Sequence, residues 1–307
     1  MLNSKSKIRI LIVDKIDSSG IKVLPPKYYS VTYKINLTNI EILKNYSNFD
    51  VLVIRSTRII DKEFLMNCKF KIIATCTKGT DHIDLKYAKK RNIIVLNSET
   101  GNTVSTAEHT FALILEISKN IIYSDNLVRE NKFSKYDYKR TELRGKKIGI
   151  IGFGKVGSRV ARYAEGFEMI VYANDIDINV RKKNKKINFK SLNYILKNVD
   201  IVTLHIPLND KNVNFISRIK MNLLSDKTIL INTSRGEIID ELYLIELLKK
   251  KRIYYAGLDV FTNEPKINKL FFELKNAILT NHIAGKTEDS IKYISNDIFM
   301  QVKNIFK

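Results

Sequence analysis

Short apolar, β-branched runs alternate along this chain with stretches whose apolar residues recur at helical spacing. In the first third, 8–13, 50–54 and 71–75 are runs of strand length. Between them, 39–44, 61–67 and 85–90 pair a charged face with an apolar one, as covering helices do. Alternation of this kind predicts a parallel sheet with helices packed on it. A longer helix is predicted over 106–122, with Ala107, Phe111, Ile114, Leu115 and Ile117 near one side; its length suits bridging two domains or meeting a second subunit. Segment 131–144 is charged, aromatic-bearing and weakly periodic, and reads as a connecting loop. A second alternating series follows. Its strands are 147–151, 169–173, 201–204, 228–231, 254–258 and 277–280, and its helices 156–165, 192–197, 241–250 and 288–306. The pattern predicts an α/β protein of two open parallel-sheet domains.

Composition narrows the class. A chain of 307 residues buries a sizeable core and fits two domains better than one. With 44% hydrophobic and 28% charged residues it reads as an ordinary soluble globular protein. No apolar run approaches the roughly 20 residues needed to span a bilayer. The polar start and the short apolar block at 8–13 do not make a secretory signal, so a cytoplasmic location is expected. Cys68 and Cys76 are not spaced as a redox or metal motif, and neither a disulfide nor a metal site is expected. The formal net charge of +21 is unusual. Its lysines are scattered beside Asn and Ile, as at 182–186, without a recognition motif; compositional bias at solvated positions accounts for them, and no nucleic-acid partner is expected.

Gly152-Phe153-Gly154-Lys155-Val156-Gly157 is a GxGxxG run between a predicted buried strand and a predicted helix. Gly152 permits a tight turn, Gly154 lets the backbone approach a pyrophosphate, and Gly157 lets helix and strand pack closely. The helix start then offers free N–H groups and the positive dipole end to phosphates. The next strand leads to Asp175, 18 positions after Gly157, near the offset of a ribose-binding acid. A carboxylate there accepts from a ribose 2′-hydroxyl and repels a 2′-phosphate, which predicts NAD over NADP; Arg181, Lys182 and Lys183 nearby work against that preference.

Three later strands each end on reactive residues: Arg235, then Asp259 and Glu264, then His282. Ligands of open α/β sheets bind outside the carboxyl ends of strands, where these residues can converge. Reducing a 2-oxo acid needs a cation for its carboxylate, which Arg235 can hold bidentately. The carbonyl oxygen gains a proton as hydride arrives, which suits His282. A carboxylate beside that imidazole, Glu264, would orient it and favour its protonated form.

These segments, together with Gly101 to His109 (GNTVSTAEH), Thr141 to Lys146 (TELRGK) and Leu204-His205-Ile206-Pro207-Leu208, resemble the D-isomer-specific 2-hydroxyacid dehydrogenase family over nearly the full length. The resemblance implies the Arg235, Glu264 and His282 roles and NAD contacts at the fingerprint, Lys155, Val156, Asp175, His205, Ile206, Pro207, Thr233, Ser234, Asp259 and Gly285. It implies a Rossmann NAD-binding domain, 99–281, inserted into a flavodoxin-like substrate domain, 1–98 with 282–307. Arg55-Ser56 resembles the pair facing a substrate phosphate in family members that act on 3-phosphoglycerate and 3-phosphohydroxypyruvate, the entry to serine biosynthesis. Lys78, Gly79 and Asn102 complete the implied substrate set. Departures stand beside this likeness. Lys78 occupies the place of a small residue, Asn281 that of a frequent proline, and the chain ends at Lys307 without the carboxy-terminal regulatory domain of longer relatives. Reduction of glyoxylate or hydroxypyruvate, oxidation of D-lactate, and an NAD-binding corepressor without turnover remain alternatives. A homodimer, through the 106–122 helix, is the expected assembly.

Overall fold

The computed structural model describes residues 7–133 and 140–306, so 134–139 of the expected connecting loop lie outside the described residues. The chain divides into two compact units, Met1–Asn102 with Lys286–Lys307, and Thr103–Gly285.

The first unit runs β1 (Ile8–Ile12), β2 (Tyr29–Tyr33), α1 (Asn39–Asn45), β3 (Val51–Ile54), α2 (Lys62–Asn67), β4 (Ile72–Thr75), α3 (Leu85–Lys90) and β5 (Ile94–Leu96). All its strands are parallel, in the order β2-β1-β3-β4-β5, the flavodoxin-like arrangement. β3 and β4 are buried along their whole length, because helices cover both faces of such a sheet. Side chains start the helices: Asp61 accepts from the Phe64 N–H, Asp84 from the Tyr87 N–H, and Thr38 forms a reciprocal cap with Glu41. The sequence pattern did not reveal β2 and β5. Both are sheet edges, and the alternating, half-exposed YSVTY of β2 lacks the apolar run of a central strand.

The second unit comprises α4 (Thr103–Lys119), α5 (Ile121–Arg129), β6 (Lys147–Ile151), α6 (Lys155–Gly166), β7 (Ile170–Asn174), α7 (Ile178–Lys183), β8 (Asn188–Phe189), α8 (Leu192–Asn198), β9 (Ile201–Leu204), α9 (Arg218–Met221), β10 (Ile229–Asn232), α10 (Glu241–Lys249), β11 (Tyr255–Leu258) and β12 (Ala277–Leu279). Its parallel sheet has the order β12-β11-β10-β9-β6-β7-β8. The order reverses between β6 and β9, the switch point at which doubly wound sheets hold a dinucleotide.

The helix expected over 106–122 is two helices. Asn120 takes a left-handed conformation at φ 53°, which asparagine tolerates better than most residues, and the chain restarts as α5. The apolar stripe of α4 is also covered within its own unit. Phe111, Leu113, Ile114 and Ile117 join a core with Ile150, Val160, Ile231 and Tyr255, and α4 packs on α6, β10 and β11. That stripe therefore needs no partner surface. Uncovered apolar residues also occur on α5, none of whose residues is buried: Ile121, Ile122 and Val128 are 58%, 55% and 60% exposed.

Helix α11 (Glu288–Ile305) returns to the first unit and closes its core. Ile294, Ile298, Phe299 and Val302 pack with Ile10, Val53 and Ala74 on the sheet. Polar ties run beside them: Ser98 Oγ donates to Asp297 at 2.6 Å, and the Gly20 N–H donates to Ser295 Oγ at 3.2 Å. Among the described residues no helix is long and apolar enough to cross a membrane. Phe299 is fully buried, so Phe299→Ala should destabilise the first unit by about 3–5 kcal/mol, the usual cost of emptying a phenylalanine site; a lowered denaturant midpoint by circular dichroism checks this.

Candidate active site

Three consecutive strand ends of the second unit carry the candidate catalytic residues, and a buried polar residue organises two of the turns. Asn232, at the end of β10, accepts from the Ser234 N–H (3.0 Å) and hydroxyl (2.7 Å) and donates Nδ2–H to the Arg235 carbonyl (2.8 Å). Arg235 is thus held in extended backbone, half-buried, with Nη1 donating to the Ser234 carbonyl at 2.7 Å. The next residue must be glycine: a Cβ at Gly236 would lie 2.0 Å from the Phe261 carbonyl carbon. Contact that close sets the Arg235 turn directly on the Phe261 to Glu264 turn.

Glu264 and His282 meet. His282 Nδ1 lies 2.7 Å from Glu264 Oε2, and the other carboxylate oxygen accepts from the Phe261 N–H at 2.9 Å. Burial raises the affinity of Glu264 for a proton, but the hydrogen bonds from His282 and Phe261 and the imidazole charge outweigh it, so the carboxyl sits below the ordinary glutamate range. An ionised carboxylate only accepts, so it fixes a proton on Nδ1 and leaves Nε2 as the nitrogen for chemistry. Both side chains keep partial access to solvent, at 41% and 32%.

Asp259 builds the His282 turn. Its side chain has no solvent exposure. Oδ1 accepts from the Thr280 hydroxyl at 2.6 Å and the Ile283 N–H at 2.9 Å, Oδ2 from the Ala284 N–H at 2.9 Å, and the Asp259 carbonyl from the His282 N–H at 2.8 Å. Burial pushes this carboxyl up; donors from His109, Thr280, Ala284 and Ile283 more than reverse that and hold it below the usual aspartate range. His282 sits at φ 55°, in left-handed backbone that non-glycine residues adopt at a cost of about 1–2 kcal/mol. The turn bonded to Asp259 maintains it.

At the switch point, Gly152 follows β6 with φ 90°, and a Cβ there would come 2.6 Å from the His205 carbonyl oxygen. A Cβ on Gly157 would meet the Gly152 oxygen at 2.0 Å. Gly154 differs. A Cβ there has open space within 4 Å, so no protein neighbour demands glycine, and room remains for a pyrophosphate above Lys155 and Val156 at the start of α6. Asp175 joins this turn: its Oδ2 accepts from the Phe153 N–H at 2.7 Å, its Oδ1 from the Asp177 N–H at 2.8 Å. Arg181 donates Nε–H to the Asp175 backbone carbonyl at 2.6 Å, not to its carboxylate. His205, Ile206 and Pro207 follow β9, His205 bonded through its N–H to the Ile151 carbonyl at 2.8 Å. Buried Thr233 and its neighbour Ser234 follow β10, and Gly285 ends the His282 turn. Together these residues fit a dinucleotide.

The remaining expected residues lie in the first unit, at the carboxyl ends of its strands. Arg55 is half-buried after β3; Nη1 reaches the Lys15 carbonyl at 3.3 Å, and its N–H donates to Asp14 at 2.8 Å. Ser56 is exposed. Lys78 and Gly79 belong to a turn pinned by Asn97 Nδ2 on the Lys78 carbonyl (2.7 Å) and by Thr77 on the Gly79 carbonyl (2.8 Å). Asn102 is half-buried just before α4. Cys68 and Cys76 are free thiols. The organising residues Asn232 and Thr280 escaped sequence reasoning because a polar residue at a strand end has no periodic signature, and His109 because its partners are distant in sequence from its own helix.

Comparison with known proteins agrees with this geometry. Residues 111–284 match the family described as D-isomer specific 2-hydroxyacid dehydrogenase, NAD binding domain. D-3-phosphoglycerate dehydrogenase of Archaeoglobus fulgidus is 31% identical over 304 residues, which is 98% of this chain and 58% of that protein, so the chain spans little more than half of that relative's length. Glyoxylate reductase of Thermococcus litoralis is 34% identical over 297 residues, covering 92% of this chain and 89% of that one. The crystal structure of Aquifex aeolicus D-lactate dehydrogenase with NAD and lactic acid superposes with a TM-score of 0.83 at 27% identity, over 97% of this chain and 95% of the other. With this similarity along its length and an NAD-binding domain at 111–284, the chain belongs to the D-isomer-specific 2-hydroxyacid dehydrogenase family.

Proposed function

We propose that the protein interconverts a 2-oxo acid and its D-2-hydroxy acid with NAD as hydride carrier. The 2.7 Å contact between His282 Nδ1 and Glu264 carries this reading, because it leaves Nε2 of an oriented imidazole for proton transfer. Bound NADH supplies the hydride in reduction, and NAD accepts it in oxidation. Arg235 pairs with the substrate carboxylate and holds the reacting carbon in place. His282 gives its Nε2 proton to the carbonyl oxygen as that oxygen becomes a hydroxyl, and takes it back in the reverse direction. Glu264 holds the imidazole ring through both.

For the substrate we infer 3-phosphohydroxypyruvate. Arg55 supports this: among the described residues its guanidinium meets the Lys15 carbonyl and no carboxylate, leaving a half-buried cation for an anion to complete. Ser56, Lys78, Gly79 and Asn102 would complete the substrate set. The similarity to glyoxylate reductase, over most of that protein's length, favours a second reading with an unphosphorylated acid. The assembly we propose is a homodimer paired through α5, whose apolar residues stand uncovered.

His282→Ala should lower kcat by about 10²-fold or more with NADH affinity little changed. Steady-state kinetics on glyoxylate, hydroxypyruvate, pyruvate and 3-phosphohydroxypyruvate, with NADH fluorescence titration, check this; full activity of the variant defeats the mechanism, and NADH binding without turnover of the unmodified protein favours a corepressor. Arg55→Ala should cost 3-phosphohydroxypyruvate roughly ten- to hundredfold in kcat/KM, the weight of a charge-assisted contact, and hydroxypyruvate far less. Equal losses, or preference of the unmodified chain for glyoxylate, select the second reading. Light scattering at micromolar concentration should give twice the chain mass, reverting to one chain in Ile122→Asp/Val128→Asp.

A further inference from the structure

Two adjacent residues of α4, both within the second unit, reach the ends of three strands. Thr110 Oγ donates to the Thr106 carbonyl at 2.8 Å, so at its 3.0 Å contact with the Thr233 hydroxyl, after β10, it must accept. His109 Nε2 lies 3.0 Å from Thr280 Oγ, after β12, and 3.4 Å from Asp259 Oδ1, after β11. Proton direction in this cluster follows from the groups themselves. An ionised Asp259 only accepts, so across 2.6 Å the Thr280 hydroxyl gives it its one hydrogen. The hydroxyl can then only accept from His109, which places the His109 proton on Nε2. The sequence of donors runs from His109 to Thr280 to Asp259. It ends on the carboxylate that holds the N–H groups of Ile283 and Ala284.

We propose that His109 is a positioning residue for His282, acting through Thr280 to fix the Asp259 carboxylate that keeps the His282 turn in its left-handed conformation. The inference rests on the assignment of His282 as the group that transfers the proton. Packing of α4 does not require the imidazole, since Phe111, Leu113, Ile114 and Ile117 supply its core contacts. Without the Nε2 donor the Thr280 hydroxyl is free to turn from the carboxylate, and Asp259 loses one of the constraints on its rotamer. The reactive imidazole, two residues beyond Thr280, then samples orientations in which Nε2 misses the carbonyl oxygen.

The test compares His109→Ala, His109→Gln, Thr280→Val and the His109→Ala/Thr280→Val double variant in the full chain. Glutamine offers an amide N–H at about the reach of Nε2. Amide hydrogen exchange without substrate should show Ile283 and Ala284 exchanging about tenfold faster in His109→Ala and Thr280→Val, and near the unmodified rate in His109→Gln. With NADH and the best-used acid of the panel above, kcat should fall about tenfold in the same two variants while the KM for NADH stays within about twofold, and glutamine should recover most of it. The double variant should be no worse than either single one, because both cut one chain of hydrogen bonds. Unchanged exchange and kcat in His109→Ala, glutamine as impaired as alanine, or additive losses would each overturn the proposal. His282→Ala in parallel separates the two levels. If it retains activity, the assignment of His282 fails; if it is inactive while His109→Ala is unaffected, only the positioning role fails.

Discussion

Asp259 takes a carboxylate wholly out of water, and much of the second unit follows from what that requires. Removing a charge of this size from solvent costs several kcal/mol even after the protein relaxes, unless fixed donors replace the lost hydration. Here the donors come from the ends of neighbouring elements: a hydroxyl after β12 and two N–H groups of the turn beyond it, with an imidazole of α4 behind the hydroxyl and 3.4 Å from the carboxylate. Each occupies a set position, so satisfying the charge also selects one conformation for the turn that carries His282. That conformation includes a left-handed residue, which the turn would not adopt for its own sake.

The same logic, with weaker partners, orders the neighbouring turn. Asn232 is a neutral side chain that satisfies one donor pair and one carbonyl, enough to hold Arg235 in extended backbone. Gly236 then brings this turn against the one that bears Glu264. Arginine, glutamate and histidine are thus placed by residues that need take no part in chemistry. On the other side of β9 the order of the sheet reverses, and the Gly152 turn meets the His205 carbonyl there. Close backbone approach at Gly152 and Gly157 serves packing, whereas no protein neighbour fills the space at Gly154, which leaves room for a ligand. Three glycines of one motif therefore answer to two different demands.

The sequence alone determined the class of fold, the positions of the central strands and the candidate catalytic residues. Central strands such as β3, β4 and β9 are buried on both faces and must be apolar throughout, so they stand out as runs. The fingerprint and its acid are local, fixed by spacing within 24 residues of one βαβ unit. Arg235, Glu264 and His282 were legible because each follows a recognisable strand. The pairing of His282 with Glu264 was an expectation that chemistry suggested, and the structure supplied its distance.

Tertiary structure decided the rest, because it depends on what lies beside each residue in space. Edge strands β2, β5 and β8 have one neighbour and mixed exposure, so their pattern matches coil until the sheet is known. The apolar stripe of α4 looked like an interface from sequence, but α6, β10 and β11 cover it, and exposed apolar residues occur on α5 beyond the break at Asn120. His109, Thr280 and Asp259 are separated by up to 171 positions, and no period or spacing joins them. Only folding brings an imidazole, a hydroxyl and a carboxylate within hydrogen-bonding distance, where the cost of burying the charge makes them depend on one another.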